Sequence, residues 1–436
     1  MPLGGLATAR SLHQQDLPGA LRPRAALAPA LVIVLSISFN FLLCFLNTNF
    51  VAITSAYVVV AEILILSAAL SLSLPELSWP GLIVVAVTML YVLTLALARA
   101  AFSSSGDLDV KIARDLLIPF VFFLFGCRYN DLRRADVIVK ICAVSVVAIG
   151  LFEYFFLELF LRYFNVIMYY VGRGSVEIER LEILSTDLFV SGIRPEGRSI
   201  LPFLGDHRVS SIFLEPVSPG NFALIIFVWA LVRARCARIF HWSIFAAAIV
   251  IIVLADNRFG AYLCALSVAV SMLPRRFSYL AVAALPLIVV VSLLALAATL
   301  SEYSIDNGVF GRALSAGHVL IDFDLADWWG LGNGSALAFD SGYAYTIGQI
   351  GIPGAVALWL LFISLRSANP QFQQFRTLTA LYLGMILAVS YSPYTIKTGG
   401  LLWFLFGALY ASQEKFAISP PTIAEPKATR MLMGEA

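Results

Sequence analysis

Arginines gather ahead of one apolar stretch of this chain. Between residues 162 and 211 stand Arg162, Arg173, Arg180, Arg194, Arg198 and Arg208, with Glu177, Glu179, Glu182 and Asp187 preceding the last three. A guanidinium stays charged at physiological pH and forks onto phosphate oxygens, so arginines clustered at a membrane face suit a diphosphate ligand. A solvated loop pairing its own glutamates and arginines would carry the same residues. Arg208 lies just before the stretch opening Ser211-Ile212-Phe213-Leu214-Glu215-Pro216, where a bilayer edge would present lipid phosphates. Further on, Asp256-Asn257-Arg258 separates two apolar stretches. Asp and Asn favour tight turns, yet an arginine at such a point also reaches headgroup level.

A second polar segment, 301–341, holds Arg312, His318, Asp322, Asp324, Asp327, Trp328-Trp329 and the run Gly330-Leu331-Gly332-Asn333-Gly334. The chain then re-enters an apolar stretch through Asp340-Ser341-Gly342-Tyr343. Polar backbone beside a bilayer is tolerated outside the hydrocarbon or where it lines a wet cavity, which leaves these residues free for chemistry at the membrane surface. Asp340 is a candidate base, because partial desolvation at the boundary raises a carboxylate pKa. It also fits a helix N-cap. His318 is a candidate proton carrier or a solvated loop histidine. The glycine run fits a turn with unusual backbone angles or a close backbone approach. Tyr343 and Tyr345 fit a sugar-stacking platform or an interfacial aromatic belt.

The elements that must position these groups are set by composition. Hydrophobic residues make up 60% and charged residues 13% of the chain, and the mean hydropathy is +0.88. This excludes an ordinary soluble domain and predicts an all-α polytopic membrane bundle. At about 20 apolar residues per crossing, about twelve spans are expected, near 27–46, 50–74, 80–98, 112–127, 137–161, 212–232, 239–255, 259–273, 278–300, 342–365, 376–391 and 399–413. Residues 1–26 and 414–436 form polar tails. A net charge of +2 without a basic tail argues against nucleic acid. The five cysteines (Cys44, Cys127, Cys142, Cys236, Cys264) fall in apolar spans or short connections and read as core residues. Arginine and lysine placement puts both termini in the cytoplasm and both long loops on the opposite face. The acids inside spans, Glu62, Asp115, Glu153 and Glu158, must face the bundle or a wet cavity.

On these residues the chain resembles the Wzy-type polysaccharide polymerases and the related O-antigen ligases of bacterial inner membranes. Arg208 with Phe213, Glu215-Pro216 and Gly220-Asn221 is similar to the family's arginine-led entry into the span after the first large periplasmic loop. Asn257-Arg258-Phe259-Gly260 is similar to its later arginine-glycine turn. Gly311-Arg312, Trp329-Gly330-Leu331-Gly332-Asn333-Gly334 and Asp340-Ser341-Gly342-Tyr343, with Gly351 and Gly354, resemble the second loop and its return to the membrane. The motifs cover roughly 194–365. Many members, the ligases especially, open the last motif with His-Asn; here Asp340-Ser341 stands instead. Within the family, exopolysaccharide polymerases of the xanthan type are similar in size and layout.

The resemblance implies a metal-independent, inverting glycosyltransferase without cofactor, working on the periplasmic face of the inner membrane. It would transfer a growing glycan from undecaprenyl pyrophosphate to the next lipid-linked repeat unit. Asp340, or His318 in its place, would activate the acceptor hydroxyl. Arg194, Arg198, Arg208, Arg258 and Arg312 would hold the pyrophosphate, with Glu215 and Tyr343 in the substrate site. Implied partners are lipid-linked oligosaccharides, membrane lipid, and the chain-length-determining and flippase proteins of the same pathway. A ligase would differ only in acceptor. A flippase would instead use Glu62 or Glu153 as coupling acids.

Overall fold

Sixteen α-helices succeed one another along the residues that the computed structural model describes, 24–102, 111–176, 187–194, 197–300, 308–332 and 341–412. They are α1 (Arg24–Asn49), α2 (Ser55–Ser73), α3 (Trp79–Phe102), α4 (Lys111–Arg128), α5 (Leu132–Phe155), α6 (Leu157–Tyr163), α7 (Val166–Gly172) and α8 (Val217–Ala237). After these come α9 (Trp242–Leu254), α10 (Arg258–Met272), α11 (Arg275–Thr299), α12 (Val309–Ile321), α13 (Leu325–Trp328), α14 (Gly342–Ser364), α15 (Pro370–Ile386) and α16 (Ile396–Ala411). Extended pairing among the described residues is limited to one isolated bridge, Ile193 with His207.

Seven helices are long and apolar enough to cross a membrane: α1, α2, α3, α5, α8, α11 and α14. Shorter apolar helices, α9, α10, α12 and α16, pack with them. The stretch expected at 137–161 stops being one helix at Phe155, and the one expected at 212–232 becomes α-helical only at Val217. In the second case Ser211 and Leu214 adopt positive φ, which ends regular helix on that side.

The bundle is organised around α8, 89% buried over its apolar window, whereas α2, α3 and α11 are 22%, 11% and 22% buried. Those three therefore form the outer ring, and their apolar side chains face what would be lipid. Inside a bilayer apolar burial does not drive helices together, so close backbone approach has to. Helices α4 and α16 show how. A β-carbon on Gly126 would lie 2.0 Å from the Phe404 carbonyl oxygen, and one on Gly407 would lie 2.0 Å from that of Phe123. The two helices contact through bare backbone on both sides.

At the bundle end formed by the C-terminus of α8 and the N-terminus of α5, a buried polar cluster ties three helices. Asp136 accepts from the Trp229 indole at 2.8 Å and pairs with Arg233 at 2.9 Å, and Arg233 also reaches Gln371 of α15 at 2.9 Å. A hydrogen bond to a charged group is worth roughly 1.5–3 kcal/mol. Trp229→Phe, which keeps most of the ring but leaves one Asp136 oxygen short of a donor, is therefore expected to destabilise by about that amount. Thermal unfolding of the detergent-solubilised protein measures it.

Candidate functional site

The opposite end of the bundle gathers the C-termini of α5 and α9 with the N-termini of α8, α10, α14 and α16. Ahead of α8 the residues 197–209 fold back over α9, and their side chains meet the carbonyls that a helix C-terminus leaves unpaired. Arg198 donates to the carbonyls of Val253 and Leu254, the latter at 3.1 Å, and to His207 at 3.1 Å. Val209 N–H reaches Leu254 O at 3.0 Å. Arg208 donates through Nε to Ala255 O at 3.2 Å and through an Nη to Ser191 O at 3.2 Å. Cations at this helix end also complement its dipole.

Asp256 returns the favour from the α9–α10 turn. It is fully buried, with φ +46°. One carboxylate oxygen accepts from Ser199 N–H at 3.1 Å and Ile200 N–H at 2.7 Å, and the other pairs with Arg194 at 2.6 Å. On the far side of the loop Glu153, also fully buried, accepts from Ser210 N–H at 2.9 Å and meets the His207 ring at 3.1 Å. Two carboxylates thus hold a basic loop from below, Asp256 from the α9–α10 turn and Glu153 from α5.

Arg258 begins α10, and Asn257 is its N-cap, accepting from Gly260 N–H at 2.6 Å. The Asn257 side chain lies against Gly220 of α8, where a β-carbon would come within 1.9 Å of it. The Gly220-Asn221 and Asn257–Gly260 motifs are therefore one contact. The guanidinium of Arg258 makes no hydrogen bond or ion pair with the described residues.

Arg194, Arg312 and Arg258 all act on Arg208. Burial first, then Arg194, Arg312 and Arg258, push its pKa down to about 9, and Asp256 works against them. It remains charged at neutral pH. Guanidiniums from the loop, α10 and α12 thus lie within electrostatic reach of Arg208, and Arg194 among them is paired with Asp256.

Other expected site residues fall elsewhere. Glu215 is paired with Lys397 of α16 at 2.6 Å and accepts from Ser218. Tyr343 is 6% exposed, and its hydroxyl donates to Gly384 O at 2.6 Å, which makes it a tie between α14 and α15 within the bundle. His318 lies in α12, roughly 9 Å along the axis from Arg312, half-buried, with no hydrogen bond from its ring among the described residues. Asp340 lies outside the described residues. The N-cap of α14 is Ser341, which accepts from Ala344 N–H at 3.1 Å, so the cap role considered for Asp340 belongs to its neighbour.

Helix α14 is broken at Gly351, with φ +67° and ψ 169°, just before Pro353. The break exposes carbonyls that proline cannot satisfy. Arg99 of α3, 8% exposed, donates to Gln349 O at 2.7 Å, to Gly330 O at 2.7 Å and to the Gln349 side chain at 2.8 Å. The Tyr91 hydroxyl takes Ile350 O at 2.7 Å. The close approach anticipated in the glycine run is thus Gly330 against Gly351, and Gly332 sits against Asp327. Asn333 and Gly334 lie outside the described residues.

A second polar group was foreseen only as isolated acids needing cover. Arg114 pairs with Glu62 at 2.6 Å and with Asp115 at 2.7 Å, and Tyr345 donates to Asp115 at 2.7 Å. Its signal in the sequence was the charged Lys111-Ile112-Ala113-Arg114-Asp115 opening of an otherwise apolar stretch. No group of three or more metal-ligating side chains occurs among the described residues. No family model, curated protein or solved structure matches the chain.

Proposed function

We propose that this chain is a membrane glycosyltransferase of the Wzy polymerase type, joining lipid-linked oligosaccharide repeat units. The observation that carries the reading is that Arg194, Arg258 and Arg312 all lie within electrostatic reach of Arg208 at one end of an apolar helical bundle. A diphosphate leaving group develops negative charge as the glycosidic bond breaks, and preorganised cations at that point give a large rate term. Arg258 contributes a guanidinium with no partner among the described residues, at the amino end of α10, where backbone N–H groups also favour anions. Arg198 is better understood as a cap on α9 that holds Arg208 in register.

In this reading the bundle crosses a bacterial inner membrane about twelve times, with both termini cytoplasmic and the arginine cluster periplasmic. The growing glycan on undecaprenyl pyrophosphate is the donor and one lipid-linked repeat is the acceptor. Asp340 takes the acceptor proton, with His318 as the substitute. Of the two acids that a transport mechanism would need, Glu153 is committed to the Ser210 backbone and Glu62 is ion-paired with Arg114 through one of its oxygens. That favours bond formation over carriage of the lipid.

Arg258→Ala is expected to lower chain growth on lipid-linked repeats by about 10²–10³ with little change in the unfolding midpoint, because the guanidinium makes no hydrogen bond or ion pair with the described residues. Asp340→Asn is expected to abolish growth while retaining donor binding. Growth at the normal rate in Arg258→Ala would remove the site.

A further inference from the structure

The second polar group lies on α2, α4, α14 and α16 at the same bundle end as the arginine cluster. The two are joined through the Lys397–Glu215 pair, because Glu215 follows Arg208 in the same loop and Lys397 lies within electrostatic reach of Glu62. The chemistry of the two differs. In the second group Arg114 is matched by Glu62 and Asp115, and Lys397 by Glu215. Cations already neutralised in this way leave little attraction for phosphate.

What the group offers instead is rings and acceptors. Tyr345 lies 5.6 Å from Tyr391 and 5.9 Å from Tyr394, ring centre to ring centre. The Lys111 ammonium, exposed at the start of α4, stands 5.0 Å over both Tyr345 and Tyr391. Glu62 uses Oε2 on Arg114 and has no partner for Oε1 among the described residues. Its side chain is 14% exposed, and that of Arg114 is 29% exposed, so the group opens outward. Sugars present hydroxyl donors that an ionised carboxylate accepts, and C–H faces that pack on aromatic rings.

The geometry points to a saccharide subsite: Tyr391 and Tyr394 pack against a sugar ring of the lipid-linked substrate, and Glu62 and Lys111 take its oxygens. This rests on the proposed function and adds to it the surface that reads the glycan. Asp115 and Tyr345 lie beneath and set the position of Arg114 and the rings. The ligand is a neutral polyol chain attached to a lipid diphosphate, with the diphosphate held by the arginines.

The test uses the full chain in cells that make the lipid-linked saccharide. A p-benzoylphenylalanine is placed by Tyr391→p-benzoylphenylalanine or, separately, by Lys111→p-benzoylphenylalanine, where the exposed side chain tolerates exchange. After irradiation, mass spectrometry is expected to find adducts carrying sugar masses, absent when the probe is at Tyr410 on the opposite end of α16. Adducts of phospholipid alone, or no adduct from either position, overturn the subsite. Titration with farnesyl diphosphate separates this from the premise. Diphosphate binding that is lost in Arg258→Ala, without sugar adducts from either probe position when Arg258 is present, overturns the subsite alone. Sugar adducts undiminished by Arg258→Ala overturn the diphosphate reading and leave the subsite standing.

Discussion

Gly351→Ala is expected to destabilise the protein by at least about 3 kcal/mol and to abolish activity with it. The backbone at 351 is in a region that only glycine occupies readily, φ +67° with ψ 169°. A β-carbon would also meet the Trp329 carbonyl oxygen at 2.6 Å and the Trp329 carbonyl carbon at 2.7 Å. These are backbone atoms and cannot rotate aside. The segment that must yield carries Gly330, whose own β-carbon position falls 2.5 Å from Gly351 N. Pushing the two apart removes the Gly330 carbonyl from Arg99 and leaves a buried guanidinium short of an acceptor. Activity falls because the first half of α14, which follows directly on Asp340-Ser341, is oriented by this contact. Thermal unfolding in detergent and a chain-growth assay check it. A midpoint equal to that of the parent protein would show that the break is not held as described.

Asp256→Ala is expected to cost about 3–5 kcal/mol, the usual consequence of removing one member of a buried ion pair. Three donors lose their acceptor at once: Arg194, Ser199 N–H and Ile200 N–H. The loop over α9 then loses its registration, and Arg208 with it. Asp256→Asn separates geometry from charge. Its side-chain oxygen can still accept from the two backbone groups, while Arg194 loses its counter-ion. The asparagine variant is therefore expected to unfold closer to the parent protein and to bind farnesyl diphosphate at least as tightly, since the arginine cluster gains net positive charge. Calorimetric titration across Asp256→Ala, Asp256→Asn and the parent measures both. Equal stability of the alanine variant and the parent protein would contradict the central place given to Asp256.

Much of this end of the molecule was legible in advance, and the reason differs by residue. Arg208 and Arg258 stood out because an arginine at the end of an apolar stretch reaches headgroup-level phosphate, and because of the motif resemblance. Asp256 was read as a turn-former, and it is in a turn, but its burial depends on a loop arriving from about 50 residues earlier in the chain. Arg198 and Arg208 were both read as phosphate ligands, Arg208 foremost; only the position of the α9 carbonyls shows how far each is engaged as a cap. Glu215 and Tyr343 carried motif resemblance, yet their partners, Lys397 and Gly384 O, come from helices far along the chain. Lys111, Tyr391 and Tyr394 drew no attention, since a lysine and tyrosines at a membrane edge are common for reasons of interfacial anchoring.

Hydropathy is a sum over neighbours in the chain, and for that reason the sequence by itself determined the helical membrane character, the places where apolar stretches begin and end, and the polar segments between them. The partner of a buried polar group is a matter of which distant segments pack together. Only the tertiary structure therefore decided that Arg194, Arg258 and Arg312 come within electrostatic reach of Arg208, that Glu153 and Asp256 hold the loop, that Arg99 satisfies a broken α14, and that Glu62, Arg114, Asp115 and Tyr345 form one group.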